Sequence, residues 1–128
     1  MTQEEKELLL KDLGGRLPYG VKILDIPANV VGKLFLISTT DTVQYETTDD
    51  TGIQTLYNIK PYLFPLSSMT EEEQKTLDSM CNGVEMVSRL SGLKMFDKAF
   101  NWLNENHFDY RGLIEKGLAI DATGLNIY

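Results

Sequence analysis

Two capping-box signatures constrain this chain more than any other feature: Thr2 with Glu5, and Thr70 with Glu73. In each, the Thr hydroxyl accepts a backbone N–H at a helix start, while the Glu three positions on reaches back to the cap's own N–H. A helix therefore begins on either side of the region they bracket. Between them, from Val21 to about Pro65, the pattern changes to that of strands.

The first helix is placed at about residues 3–13. Leu9, Leu10, Leu13 and Leu17 keep roughly helical spacing, Gly14-Gly15 weakens the helix and Pro18 ends it. Val21 and Ile23 alternate with Lys22, and Pro27-Ala28-Asn29 makes a turn. The run from Lys33 to Thr40 has too few polar interruptions for one solvated face and reads as a central strand. Thr42 to Thr47 alternates as its antiparallel neighbour. After the Asp49-Asp50-Thr51-Gly52 turn, Ile53 to Ile59 makes a fourth strand. Residues 59–66 are extended but carry Pro61 and Pro65, which donate nothing to a ladder, so this segment reads as an edge or a crossing.

The second helix presents Leu77, Met80 and Cys81 as its apolar face and stops at Asn82-Gly83, while residues 84–90 fit either a short strand or a helical turn. A last long helix, about 94–105, carries Phe96, Ala99, Phe100 and Leu103 as a core stripe with Trp102 at its border. Asn106-His107 ends it, Asp109 caps a short helix through Glu115, and Leu118 to Ile120 returns as an edge strand. The expected fold is α+β: a small antiparallel sheet or partial barrel of about four strands, covered by the N-terminal helix and two C-terminal helices, in a single domain spanning 1–128.

Charge and composition exclude several functions. With 19 Asp and Glu against 12 Lys and Arg the formal net charge is −7, which repels phosphate backbones, and the basic residues form no stripe; nucleic acid is not an expected partner. One cysteine, Cys81, allows neither an internal disulfide nor a cysteine-based zinc site and suits a reducing compartment. The acidic N-terminus lacks an apolar signal core, and no apolar run approaches the roughly 18 residues of a membrane span. A cytoplasmic protein with no membrane contact is expected.

Several blocks carry a resemblance. Ile59-Lys60-Pro61-Tyr62-Leu63, the run from Pro65 to Glu73, Trp102-Leu103-Asn104, and the run from His107 to Ala119 resemble a family of small uncharacterised proteins from phages and mobile elements of gut anaerobes, as does the opening from Met1 to Gly20. The resemblance implies such an origin and a bacterial host cytoplasm. It transfers no catalytic residue. Phe64 stands where the family pattern has a basic residue, which removes a cation from any shared surface, and Gly14 stands where it has Cys, which excludes a catalytic thiol there.

The stretch from Phe100 to Ile114 holds the only Trp and the only His. Within it His107, Asp109, Tyr110 and Arg111 are the one local set that joins acid–base, aromatic and anion-binding groups. The competing structural reading gives each a folding task, with His107 closing a helix and Asp109 opening the next. Asp49-Asp50 lacks the spacing of a calcium loop, Glu71-Glu72-Glu73 suits the helix dipole, and the glycines match no phosphate-binding fingerprint, so neither metal nor cofactor is expected. Tyr57, Tyr62, Phe64 and Leu66 either line an exposed groove or pack the core.

The favoured function is non-catalytic: an accessory protein that binds a host or phage protein or forms a small oligomer. The alternative is a small-molecule binder, a nucleotide among the candidates, with His107, Tyr110 and Arg111 around a pocket against Tyr62. In a third reading, an enzyme with an unfamiliar site, His107 and Asp109 would be the acting groups.

Overall fold

The computed structural model describes residues 1–81 and 89–128, side chains excepted at 89–93. It is α+β. Helix α1 (Gln3–Arg16) is followed by strands β1 (Lys22–Asp25), β2 (Val30–Ile37), β3 (Thr42–Glu46), β4 (Thr51–Thr55) and β5 (Ile59–Pro65). Helices α2 (Glu71–Cys81) and α3 (Arg89–Glu105) come next, and two short strands, β6 (Phe108–Asp109) and β7 (Ile120–Asp121), close the chain. The Asn82-Gly83 stop and most of the undecided 84–90 segment lie outside the described residues; Arg89 and Leu90 open α3.

Both capping boxes form. Thr2 Oγ1 accepts from the Glu5 N–H at 3.1 Å, and the Thr2 N–H donates to Glu5 Oε1 at 3.0 Å. Thr70 and Glu73 repeat the exchange at 3.1 and 2.9 Å. Helix α1 runs past Gly14-Gly15 to Arg16, three residues beyond the expected end, because a buried contact described below holds its last turn.

Strands β1 to β4 form an antiparallel meander as expected, although β4 starts at Thr51, inside the expected turn, and ends at Thr55, with Leu56–Asn58 a 3-10 turn before β5. Among the described residues the sheet has seven strands, not about four, in the order β4-β3-β2-β1-β5-β6, with β7 also on β5. The extra width comes from β5. It pairs antiparallel with β1 over Ile59–Pro61, then parallel with β7 over Tyr62–Leu63 and with β6 over Phe64–Pro65. The prolines therefore end two of these short pairings rather than push the strand to an edge. Two-residue strands carry no alternation, so β6 and β7 leave no periodic trace in the sequence.

One face of the sheet packs on α1. Leu9 and Leu13 of α1 close on Val21, Ile23, Leu34, Val43, Tyr45, Ile59 and Leu63, with Leu113 and Leu118 completing the core. The C-terminal helices cover less than expected. Ala99 and Leu103 of α3 are buried, but Phe96 and Phe100 are exposed, and no residue of α2 is buried. Helix α2 lies on α3 rather than on the sheet, which leaves Cys81 exposed instead of in an apolar face. Among the described residues no helix is long and apolar enough to cross a membrane.

Tyr45 bridges the meander. Its ring lies against Gly32 and Gly52, and its hydroxyl donates to Asp25 Oδ2 at 2.6 Å, which together with burial pushes the phenol up to about 12. A Cβ on either glycine would sit 2.3 Å from a Tyr45 ring carbon. Gly→Ala at a tolerant site stabilises by about 0.4–1 kcal/mol through the unfolded chain, whereas overpacking costs about 1–3 kcal/mol, so the clash wins. Gly32→Ala and Gly52→Ala are therefore expected to lower the denaturation midpoint, and a Tyr45→Leu background should remove most of the penalty. Penalties unchanged in that background would show that the ring is not the obstacle.

Candidate functional site

The residues singled out in the sequence separate into two places. Tyr110 and Arg111 belong to a buried charge cluster centred on α1. Leu9, Asp12, Leu13 and Arg16 fall at i, i+3, i+4 and i+7, so a carboxylate and a guanidinium share the stripe that faces the core, and both are fully buried. Arg16 meets Asp12 in a two-pronged pair, Nε to Oδ2 at 2.9 Å and Nη2 to Oδ1 at 3.1 Å. Its Nη2 also donates to the Phe108 carbonyl, tying α1 to β6. Arg111 Nη1 reaches Asp12 Oδ1 at 2.9 Å, so one carboxylate holds two cations.

Tyr110 is a platform for both. Its ring centroid lies 4.6 Å from the Arg111 guanidinium and 5.5 Å from that of Arg16, and its hydroxyl donates to Asn104 Oδ1 at 2.9 Å. Asp109 accepts from the N–H groups of Leu113 and Ile114, each at 2.9 Å. It thus performs the expected capping, although the segment that follows is a series of turns and not a helix. Asp12 and Arg16 were missed in the sequence. The signal was available, since opposite charges one turn apart stood within the Leu9–Leu13 stripe.

His107 lies in the second place. It ends α3 with a left-handed φ of 60°, a conformation His tolerates better than most residues. Its carbonyl accepts the Phe64 N–H at 2.8 Å, so the helix stop and the β5–β6 pairing share one residue. The imidazole stacks on Tyr128 with centroids 3.9 Å apart and planes 12° apart. Only 7% of the residue is exposed, and Nδ1 has no hydrogen-bond partner among the described residues. Burial, reinforced by the positive charges of Arg16 and Lys22, lowers its pKa to about 4, so the ring is neutral at pH 7.

Tyr128 locks this corner. Its hydroxyl donates to the Tyr62 carbonyl at 2.8 Å and accepts the Lys22 N–H at 2.9 Å, bridging β1 and β5, and burial raises its pKa. Tyr62 itself is buried beneath this contact, and burial raises its phenol too. Beside the His107–Tyr128 pair opens a cleft of about 510 Å³ walled by Phe64 and Phe108, with Glu73 and Glu105 in its lining. Tyr62, Tyr110 and Arg111 are not in its wall; Tyr110 borders a separate depression of about 360 Å³. The four candidate binding residues therefore do not converge on one cavity. Among the described residues no group of three or more His, Cys, Asp or Glu is placed to hold a metal ion.

A third feature is a surface. On the face of the sheet away from α1, cross-strand partners Leu36, Gln44 and Ile53 lie in one row, and Val31 and the bulged Phe35 lie near it. Val31, Phe35 and Leu36 are about 40% exposed and Ile53 is 67% exposed. Lys33 and Glu46 pair across neighbouring strands, Lys33 Nζ lying 3.5 Å from Glu46 Oε1. Beyond Ile53, β4 ends the sheet, its outer edge unpaired with any strand among the described residues. The chain matches no protein-family model, no curated protein and no solved structure.

Proposed function

We propose that the chain is a non-catalytic accessory protein of a phage or mobile element, acting in the bacterial cytoplasm by binding another protein. In this reading an extended segment of the partner adds to the free edge of β4. The observation that carries it is the character of that edge. Exposed edge strands in natural sheets are usually blunted by Lys, Pro or a bulge, because an open ladder pairs with whatever strand meets it. Thr51-Gly52-Ile53-Gln54-Thr55 has no charge and no proline, its register with β3 is continuous, and its one apolar side chain is mostly exposed.

A strand added there takes main-chain hydrogen bonds from β4 in place of the Asp50 and Gln54 side chains, which accept the Thr51 and Thr55 N–H groups at 2.8 and 2.9 Å, and an apolar side chain of the added strand falls beside Ile53. The origin in a phage or mobile element is supported only by the sequence resemblance. A nucleotide bound by His107, Tyr110 and Arg111 fits less well: Arg111 is already engaged by Asp12, and the cleft at His107 is lined by carboxylates.

The test compares the native chain with Ile53→Lys in capture from bacterial lysate, followed by titration of the purified partner. Substitution at so exposed a position should change stability by no more than about 0.5 kcal/mol. Native protein should retain a partner that Ile53→Lys binds at least about tenfold more weakly. Equal binding by the variant contradicts the reading. So does recovery of no partner, and self-association alone would replace the partner with a second copy.

A further inference from the structure

We propose that the cleft beside His107 and Tyr128 binds a small organic cation, an ammonium group carried on an apolar body. The site is separate from β4 and does not depend on the partner reading. Its volume of about 510 Å³ is within the range of cavities that enclose small ligands.

The walls select the ligand's chemistry. Of the three aromatic rings, Phe108 is covered by Trp102, stacked at 5.7 Å, and Tyr128 is covered by His107 at 3.9 Å. Phe64 meets Phe108 and Tyr128 only at tilted angles, 59° and 49°, and is half-buried, so its ring is the one positioned to receive a ligand. Ring faces attract cations through their quadrupole.

The charges agree. Glu73 and Glu105 line the cleft, and no Lys or Arg does so among the described residues. Glu73 Oε1 accepts the Thr70 N–H at 2.9 Å, which fixes this side chain at the head of α2. Glu105 belongs to no ion pair among the described residues. Of the cations that act on His107, Arg16 is paired with Asp12, and Lys22 Nζ is held by the Ile127 carbonyl at 2.7 Å and lies 5.9 Å from the Tyr128 centroid. His107 is a second, independent mark of a ligand site. It lines the cleft while more than nine-tenths buried, and its Nδ1 lacks a partner among the described residues. Being neutral, it does not compete with a bound cation.

Four probes of similar shape and different charge test the proposal: benzyltrimethylammonium, benzylamine, benzyl alcohol and benzoate. Each is titrated into the full chain while backbone amide resonances are followed by NMR. The two cations should shift the amides of residues 105–108 and 123–128 and bind about tenfold tighter than the alcohol, with benzoate weakest. Glu105→Gln should weaken the cations a few-fold without affecting the alcohol, and Phe64→Ala should weaken them about tenfold. Because Phe64→Ala removes packing, its fold is checked by thermal denaturation, and Glu105→Gln serves as the exposed control. Ile53→Lys should leave cation binding unchanged, which separates this site from the partner surface. Benzoate or alcohol binding as well as the cations, cation binding unaffected by both variants, or no shift at these amides with any probe at about 10 mM overturns the proposal.

Discussion

Asp12→Ala is expected to destabilise the fold by about 3–5 kcal/mol, a large part of the total stability of a domain this size. Asp12 and Arg16 are both fully buried, and the carboxylate is the shared acceptor for Arg16 and Arg111. Removing it leaves Arg16 with the Phe108 carbonyl and no counter-charge, deep in the core. Arg111 is one-fifth exposed and can turn to solvent, but Arg16 cannot. An uncompensated buried charge costs far more than the pair contributes, so the apolar double replacement Asp12→Leu with Arg16→Met should recover much of the loss. Urea unfolding of the native protein and the two variants measures both effects. A cost below about 1 kcal/mol for Asp12→Ala would mean that the pair is solvated.

Acid is expected to destabilise the fold through His107. Its pKa is about 4 in the folded protein and near 6.5 when exposed, so the unfolded chain takes up the proton first as pH falls. The contribution is fully present above pH 6.5 and is lost progressively between about 6.5 and 4, to a total of about 3 kcal/mol. His107→Asn isolates it. Asn tolerates the left-handed backbone but does not titrate, while the carboxylates common to both proteins cancel in the difference. The stability difference between native protein and variant should therefore shrink by about 3 kcal/mol over that window. An imidazole that titrates near 6.5 by NMR would contradict the burial that drives the shift.

These two residues show what was legible in the sequence. The helix stop at Asn106-His107 was legible and appears in the fold, whereas the helix expected after Asp109 is a series of turns whose Leu113 and Ile114 N–H groups its carboxylate holds. The partner of His107 could not be found, since Tyr128 lies far along the chain and meets it only after β7 has returned to β5. Likewise the meander from β1 to β4 followed from alternation and turn residues. The parallel pairings of β5 did not, because β6 and β7 each span two residues and are placed by tertiary contact. Tyr110 and Arg111 stand out in the sequence by the chemistry of their side chains. Their engagement by Asp12 and Arg16 depends on α1 packing beside α3, which local pattern does not encode.

The outward face of the sheet was harder still. Val31, Leu36 and Ile53 are apolar, as buried strand residues would be, and only the cross-strand register shows that they share the side opposite α1. The central claim, that β4 receives a partner strand, is tested most directly by amide hydrogen exchange on the captured complex. The predicted result is slowed exchange along Thr51–Thr55, with little change at residues 105–108 and 123–128. Slowed exchange confined to those C-terminal segments, or no change along β4, would contradict it.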